Sequence, residues 1–593
     1  MSSPDTYIYD GVDEIPMDVK YVKVHPSIAV ISEAAFWRRK ELKEVDLPEG
    51  LVRIEPQAFQ WCESLTTVNL PSTLKYIGED AFYNCTKLED VDLPPGIEIL
   101  GQSTFFSCKK ICRINIPPNL QMSDFAFSTC ESLVEVTFSE GIQTIEEGTF
   151  RNCKSLVSVS LPSSVKKIGR CAFENCFALA QIDLPDAVES INQGAFTFCN
   201  FRNFRIPPLM TTVDMCIFKD NYWLVSLELP DSIGRIQDDN WYNSRGRGGT
   251  SGTSLNHLRN VSLPPECKVE TGILESCVDL GTAFPGGDNR AILDALKQRF
   301  NDLPFHKICY YQSYHPADSV LRDLKQEDQS LSIKVLGGCA TGKQQDCLGM
   351  TPLHILACST KHQLELYKLM IEKYPETLIT KDKWGDIPLL YALWCNAPAD
   401  IIQLLVESYK ANHSGYEFDW IGMFMTLAKG RADLANVQKL VIMQQDNFPD
   451  QHYNMETVVM NLAAQDNNQY QFHLRTPHET FRYLLKVGIA KRLDSLNIRR
   501  CREELEDGIN EFPEYPLTKK EERARGLYSK LALYETIKES TSVLELALWK
   551  AKIDDSRNRR ARVDNDVSYR DKCRIKCGAD IVIRNVLPYL FPK

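Results

Sequence analysis

The chain has 593 residues, 43% of them hydrophobic and 25% charged, with a formal net charge of −11. That length exceeds what one hydrophobic core usually serves and implies about two to four domains, and the apolar content excludes wholesale disorder. The acidic balance disfavours nucleic acid as the main partner, because phosphate binding needs an electropositive surface.

The first residues, MSSPDTYIYDGVDEIPMDVKY, hold neither the basic n-region nor the apolar h-region of a secretory signal. No run of about 18 apolar residues marks a membrane span, and neither end carries a lipid-anchor motif. The expected compartment is the cytosol or nucleus, where the 20 cysteines would be reduced thiols.

A repeat then fills the first half. The segments SLTTVNLPSTLKYIGEDAFYNC, KLEDVDLPPGIEILGQSTFFSC and SLVSVSLPSSVKKIGRCAFENC share the pattern L-x-x-V-x-L-P-x-x-L-x-x-I-x-x-x-A-F-x-x-C. An aromatic recurs at Phe36, Phe59, Phe82, Phe105, Phe127, Phe150, Phe173, Phe196, Phe218 and Trp241, with spacings of 23 and two of 22. Three places later stands Cys62, Cys85, Cys108, Cys130, Cys153, Cys176 or Cys199, replaced at the ends by Arg39, Asn221 and Ser244. L-x-x-V-x-L is a short strand signal, and the proline after it cannot donate to a ladder, so the strand ends there. One copy cannot bury its Leu, Ile and Phe. Stacked copies bury them against each other, and the cysteine fits a tight inward position as a small apolar residue.

These motifs, over residues 20–282, resemble the BspA-type leucine-rich repeat. The resemblance implies a curved parallel-sheet solenoid whose usual role is to bind macromolecules, often at cell surfaces. Partner specificity is expected on outward strand positions. Candidate contacts are Glu44, Asp46, Glu89, Asp90, Asp92, Arg113 and Glu135, and the acidic ones would attract a basic partner. Arg202, Asn203 and Arg205 continue the same outward positions. A Gly/Ser-rich insertion, NSRGRGGTSGTS, interrupts the repeat after Trp241 and reads as a flexible loop, although Arg245 to Gly249 has the look of an RNA-binding RGG segment.

Residues 281–290 form a linker signal. DCLGMTPLHILACST (346–360) and DKWGDIPLLYALW (382–394) follow, with Asp346, Gly349 and Pro352 mapping onto Asp382, Gly385 and Pro388, each 36 later. LPFHKICY places Pro304 and His306 against Pro352 and His354. Downstream, FDWIGMFMTLA and YNMETVVMNLA are offset by 35. This stretch resembles ankyrin repeats, which implies helical pairs and a turn-stabilising rather than catalytic role for His306 and His354. Its period of 36 departs from the family's usual 33.

GGCATGKQ (337–344) fits the G-x-x-x-x-G-K frame of a phosphate-binding loop, with Lys343 for the terminal phosphates. Gln344 stands where the Mg²⁺-binding hydroxyl belongs, and the turn at Asp346 leaves no room for the helix that must hold the phosphate. Residues 517–551 read as a long helix with an apolar stripe at Leu527, Leu531, Tyr534 and Ile537, and a second helix spans most of 566–590. Arg557, Arg559, Arg560 and Arg562 make a basic cluster flanked by aspartates. Cys573 and Cys577 lack the second pair that a zinc site needs.

The expected architecture is an α/β repeat protein. A leucine-rich-repeat solenoid of short parallel strands (1–282) precedes an all-α ankyrin-like solenoid (283–485) and a C-terminal helical region (486–593). No catalytic set, metal site or cofactor site can be placed. The expected function is a protein-binding scaffold or adaptor, with no membrane, small-molecule or cofactor partner. The alternatives are a nucleotide-dependent switch through Gly337 to Lys343 and a surface or secreted adhesin.

Overall fold

The computed structural model describes residues 6–238 except 13, 255–323 except 271, 272, 274–276 and 318, and 341–466 except 430, 431 and 433. It also describes 478–494 and short stretches at 505–507, 509–510, 523–532 and 535. The chain forms two compact units, Met1–Tyr416 and Glu417–Lys593.

The first unit begins as a solenoid of parallel strands. L-x-x-V-x-L segments pair turn upon turn, bringing Val22, Val45 and Val68 into register. Ile114, Val136 and Val159 follow, then Phe204, Leu227 and Val261. The middle residue of each trio points inward and is buried, while its flanks face out, as a two-residue strand period requires. The sequence reading places one strand in each repeat, but the structure has two. The L-x-x-I segment beyond the proline makes a second parallel ladder through Ile31, Ile54, Ile77, Leu100 and Met122. The segment was not legible as a strand because only two residues of each turn pair there.

The A-F-x-x-C loops close each turn. Phe36, Phe59, Phe82, Phe105, Phe127, Phe150, Phe173 and Phe196 stack in one file, with centroids 4.8 to 5.8 Å apart and planes within 15°. Each offset-stacked pair adds about 0.5–1.5 kcal/mol beyond area burial. The loops have their own inter-turn bonds: Ala34, Phe36 and Arg38 donate backbone N–H to Pro56, Ala58 and Gln60 at 3.0, 2.7 and 2.8 Å. This geometry sets Ala34, Gln57, Asp80 and Ser103, and likewise Arg38, Trp61, Asn84 and Ser107, at positive φ. Each such residue costs about 1–2 kcal/mol, which the inter-turn hydrogen bonds offset.

The cysteine of the repeat is more than a small apolar filler. Its thiol donates to the carbonyl of the stacked phenylalanine one turn back: Cys62 to Phe36 at 3.1 Å, Cys85 to Phe59 at 3.2 Å, Cys153 to Phe127 at 3.3 Å. The replacements follow the same rule. Asn221 donates Nδ2 to Phe196 at 2.6 Å, and Arg39 donates Nε and Nη2 to Ile15 at 3.1 and 2.6 Å. The position therefore selects a donor for a buried carbonyl of the preceding turn; Phe36, Phe59 and Phe196 O each also accept a backbone N–H, from Arg39, Cys62 and Cys199, so the side chain fills the second lone pair.

Helices α1 (Val278–Ala283) and α2 (Asn289–Lys297) close the end of the solenoid through buried Leu280, Ile292 and Leu296. Next come α3 (Pro304–Tyr311), α4 (Pro352–Ala357), α5 (Leu364–Lys373), α6 (Pro388–Trp394) and α7 (Ala399–Asn412). α3 packs on α4, α4 on α6, and α5 on α7. α3, α4 and α6 each start on a proline, whose missing N–H costs nothing at the first helical position. The turns before α4 and α6 are alike. Asp346 Oδ1 accepts from Leu348 and Met350 N–H at 2.8 and 2.9 Å, and Asp382 Oδ1 from Trp384 and Asp386 at 3.0 and 2.9 Å. Gly349 and Gly385, at φ 76 and 87, take the left-handed position both turns need.

The second unit, taken by itself, holds α8 (Trp420–Lys429), α9 (Leu434–Asn447), α10 (Met455–Asp466) and α11 (His478–Asp494). α8 and α10 begin 35 residues apart, at the offset of the two sequence segments that fill them. Residues 523–532 are helical, with Leu527 and Leu531 buried. Tyr534, Ile537, the Arg557 to Arg562 cluster, Cys573, Cys577, Trp241 and the 243–254 insertion lie outside the described residues. No helix among the described residues is long and apolar enough to cross a membrane.

Candidate interaction face

The outward residues of the first ladder make one face with three columns. The central column runs through Glu44, Thr67, Asp90, Arg113, Glu135 and Ser158, then Asn203, Ser226 and Asn260. A second includes Asp46, Asp92, Thr137, Arg205 and Glu228. The third is a flanking column tied by backbone bonds from Thr66 to Lys43, Glu89 to Thr66, Val134 to Cys112 and Val157 to Val134. It resumes with Val225 to Arg202 and Arg259 to Val225.

The last three turns of this face are covered by the chain's own helices. Arg202, Asn203 and Arg205, expected to be free for a partner, are only 4%, 5% and 6% exposed, which corrects that expectation. Asn203 Nδ2 donates to the Ser359 carbonyl at 2.8 Å, just past the end of α4. Glu228, 1% exposed, accepts from Ser313 Oγ, from Ser359 Oγ at 3.0 Å, and from Thr360 N and Oγ1 at 2.7 and 3.1 Å. Burial pushes its carboxyl up, opposed by those donors. The Tyr310 hydroxyl of α3 donates to Leu227 at 2.7 Å and accepts from Leu229 and Ser262 N–H at 3.2 and 3.1 Å.

Two arginines fasten the layer. Arg259 donates to Asp279 and Asp386 at 2.6 Å each and to the Tyr391 hydroxyl at 3.2 Å. Its guanidinium lies 4.8 and 5.0 Å from the rings of Trp384 and Trp394. Burial raises Asp279, but His257 and Arg259 more than offset it and hold the carboxyl below its usual range. Arg299, 2% exposed, donates to Asp346 at 2.7 Å, Asn260 Oδ1 at 2.8 Å and the Val261 carbonyl at 2.9 Å. Buried ion pairs of this kind fix a geometry more surely than they add stability.

The earlier turns of the same face are open. Glu44, Asp46, Glu89, Asp90, Asp92 and Arg113 are exposed, and Glu135 is half-exposed. Arg113 pairs with Glu135 at 3.5 Å, and Asp46 with Lys23 at 3.3 Å. Both pairs are surface contacts worth little in stability. Among the described residues no ion pair reaches Glu44, Glu89, Asp90 or Asp92, so adjacent turns present uncompensated negative charge.

The other candidates resolve into structure. His354 accepts the Thr351 N–H at Nδ1, 3.2 Å away, so its Nε2 carries the proton and donates to Asp386 O at 3.2 Å. His306 Nε2 lies 3.1 Å from both Gln344 O and Met350 O. Burial lowers both histidines to about 4. Residues 337–340 lie outside the described residues. Thr341–Lys343 forms a 3₁₀ turn, and Lys343 Nζ is 3.8 Å from Glu376, so nothing here supports phosphate binding. Burial pushes the Cys62 and Cys130 thiols up to about 12, which leaves them protonated and unreactive. No group of three or more metal-ligating side chains gathers among the described residues.

Fold and face together define a parallel-strand leucine-rich-repeat solenoid with a helical layer docked on its last turns. Residues 29–146 and 121–246 match the BspA type leucine rich repeat region family, in 6 copies. The chain is similar to the crystal structure of a T. pallidum leucine rich repeat protein at 26% identity, covering 30% of this chain and 86% of that one with a TM-score of 0.27. It is also similar to a leucine rich cell surface protein from Faecalibacterium prausnitzii, at 20% identity, 42% and 86% coverage and a TM-score of 0.25. The pneumococcal vaccine antigen PcpA is similar at 18% identity, 46% and 81% coverage and a TM-score of 0.25. No curated protein matches the chain.

Proposed function

We propose that the chain is a non-catalytic scaffold that binds a protein partner through the open turns of its first-ladder face, using Glu44, Asp46, Glu89, Asp90, Asp92, Arg113 and Glu135. One observation carries this reading: the same face already holds protein. Where Asn203, Glu228 and Asn260 stand, it grips helix ends and side chains of its own helical layer. The open turns offer the same columns with acidic chemistry, which suits a basic surface and speeds its encounter.

The helical layer reads best as ankyrin-like repeats. The paired Asp-Gly-Pro turns 36 residues apart and the helix pairs α4–α5 and α6–α7 support that identity. The use of protonated thiols as core donors suits a reducing compartment such as the cytosol or nucleus.

The test is affinity purification from the native cell with the wild-type chain and with Glu89→Lys/Asp90→Lys/Asp92→Lys. A partner that binds the wild-type face is lost from the triple variant. Recovery of an unchanged partner set overturns the assignment of this face.

A further inference from the structure

The flanking column changes character along the face. In the covered turns it carries Arg202, Val225 and Arg259, all buried, with Arg259 held by Asp386 and Tyr391 of the helical layer. In the open turns just before them it carries Val134 and Val157, 42% and 54% exposed, with half-buried Ala180 one turn further on and exposed Cys112 one turn earlier. A solvated strand position is ordinarily polar, and single exposed apolar residues need no explanation. Here two valines stand in register on adjacent turns, joined by the Val157 N–H to Val134 carbonyl bond of 2.9 Å. They lie on the column whose continuation is already a protein interface. Two turns to the other side of Val134, the same column reaches Glu89, with Asp90 and Asp92 beside it.

We infer that this strip binds a helical segment of a partner protein laid along the solenoid axis, with an apolar pair seated on Val134 and Val157 and basic residues two helical turns away on Glu89, Asp90 and Asp92. The inference rests on the proposed use of the face and names the partner's chemistry. Its basis is commensurate spacing. Neighbouring strands lie about 4.7–4.9 Å apart, and residues three or four apart on a helix lie about 5–6 Å apart. Successive helical turns therefore fall over successive solenoid turns. Val134 and Glu89 are separated by two strand intervals, about 10 Å, and two helical turns rise about 10.8 Å. A partner whose leucine pair at i and i+4 is preceded by lysines about seven residues earlier meets both features at once. The covered turns are the precedent: there the face holds helices through shape and specific hydrogen bonds, whereas the open turns offer an apolar seat and charge.

The probe is an alanine-based helical peptide of about 18 residues, carrying a leucine pair at i and i+4 and three lysines centred seven residues before it. The control peptide has alanine in place of the leucines and the same charge. Binding to the full chain is measured by fluorescence anisotropy. The leucine peptide is expected to bind about tenfold tighter than the control or better, and Val134→Thr/Val157→Thr to erase that difference while leaving control binding in place. Threonine keeps strand propensity, and an unchanged circular dichroism spectrum verifies the fold. Equal binding of the two peptides, or a leucine advantage that survives the valine substitutions, overturns the apolar seat and leaves the acidic reading standing. If the control peptide binds the wild-type chain and the Glu89→Lys/Asp90→Lys/Asp92→Lys variant equally, the acidic reading fails as well.

Discussion

Acid should loosen the helical layer through two histidines. His306 and His354 are fully buried and their folded pKa is lowered by burial to about 4, against about 6.5 in an unfolded chain. A group depressed in the fold contributes stability that is complete above the unfolded value and is lost as pH falls toward the folded one. At about pH 5 an unfolded histidine is nearly all protonated while the buried one is nearly all neutral. The difference costs about 2 kcal/mol for each histidine and about 4 kcal/mol for the pair. Glu228, Asp382 and Asp386 are pushed up by burial and act the other way, whereas Asp279, held low, and His362, lowered by burial to about 4, add to the loss. The histidine share must therefore be read as a difference. Urea denaturation followed by far-UV circular dichroism, at about pH 7.5 and about pH 5, would compare the wild-type chain with His306→Gln/His354→Gln. Glutamine retains an N–H donor for the Asp386 and Met350 carbonyls but cannot titrate. The wild-type chain should lose about 4 kcal/mol more than the variant between those pH values. Equal losses would refute the assignment of buried neutral imidazoles.

Two further outcomes test the fold's devices. Among the described cysteines only Cys112 is exposed. A thiol reagent followed by peptide mapping should label Cys112 in the native chain and reach Cys62, Cys85, Cys108, Cys130, Cys153, Cys176 and Cys199 only after denaturation. Rapid native labelling of that file would contradict its burial. Glu228→Ala removes the acceptor for the Thr360 N–H and three hydroxyls, and hydrogen bonds to a charged acceptor are worth about 1.5–3 kcal/mol each. Even if the hydroxyls find new partners, the stranded N–H makes a loss of about 3 kcal/mol the expected result in the same denaturation assay. A loss below about 1 kcal/mol would mean that the carboxylate does not fasten the layer.

The solenoid was legible because its period is written in residues that can do only one thing. A phenylalanine every 23 residues with a cysteine three places on must stack, and the file from Phe36 to Phe196 does so. Two features of the same turn escaped the sequence. The second ladder pairs too few residues per turn to leave an alternating pattern. The left-handed loop positions are filled by Ala34, Gln57, Ser103 and Phe125, residue types that give no turn signal because the inter-turn bonds, not local preference, hold them there. The cysteine's donor role also went unread, since a buried thiol looks like any small apolar residue until its replacements Asn221 and Arg39 are seen bonding the same kind of carbonyl.

The face itself was legible as outward positions but not as two surfaces. Asn203, Ser226 and Asn260 look as solvent-ready as Thr67 or Ser158, because strand alternation reports which side a residue faces and is silent on what covers that side. The covering depends on contacts such as Asn203 to Ser359 and Arg299 to Asn260, 156 and 39 residues apart in the chain, a separation no local pattern encodes. One trace of the division does survive in the sequence. Arginines occupy the flanking column only in its buried turns, at Arg202 and Arg259 on either side of buried Val225, and the nearest exposed turns carry Val134 and Val157. An arginine there can be buried only because other parts of the same chain supply its partners: the Asn200 carbonyl and Oδ1 for Arg202, and Asp279, Asp386 and Tyr391 for Arg259. A valine needs no such partner, so it can wait exposed for an apolar surface that arrives from another molecule. The buried arginines thus mark the part of the face spent on internal docking and set it apart from the part that stays open.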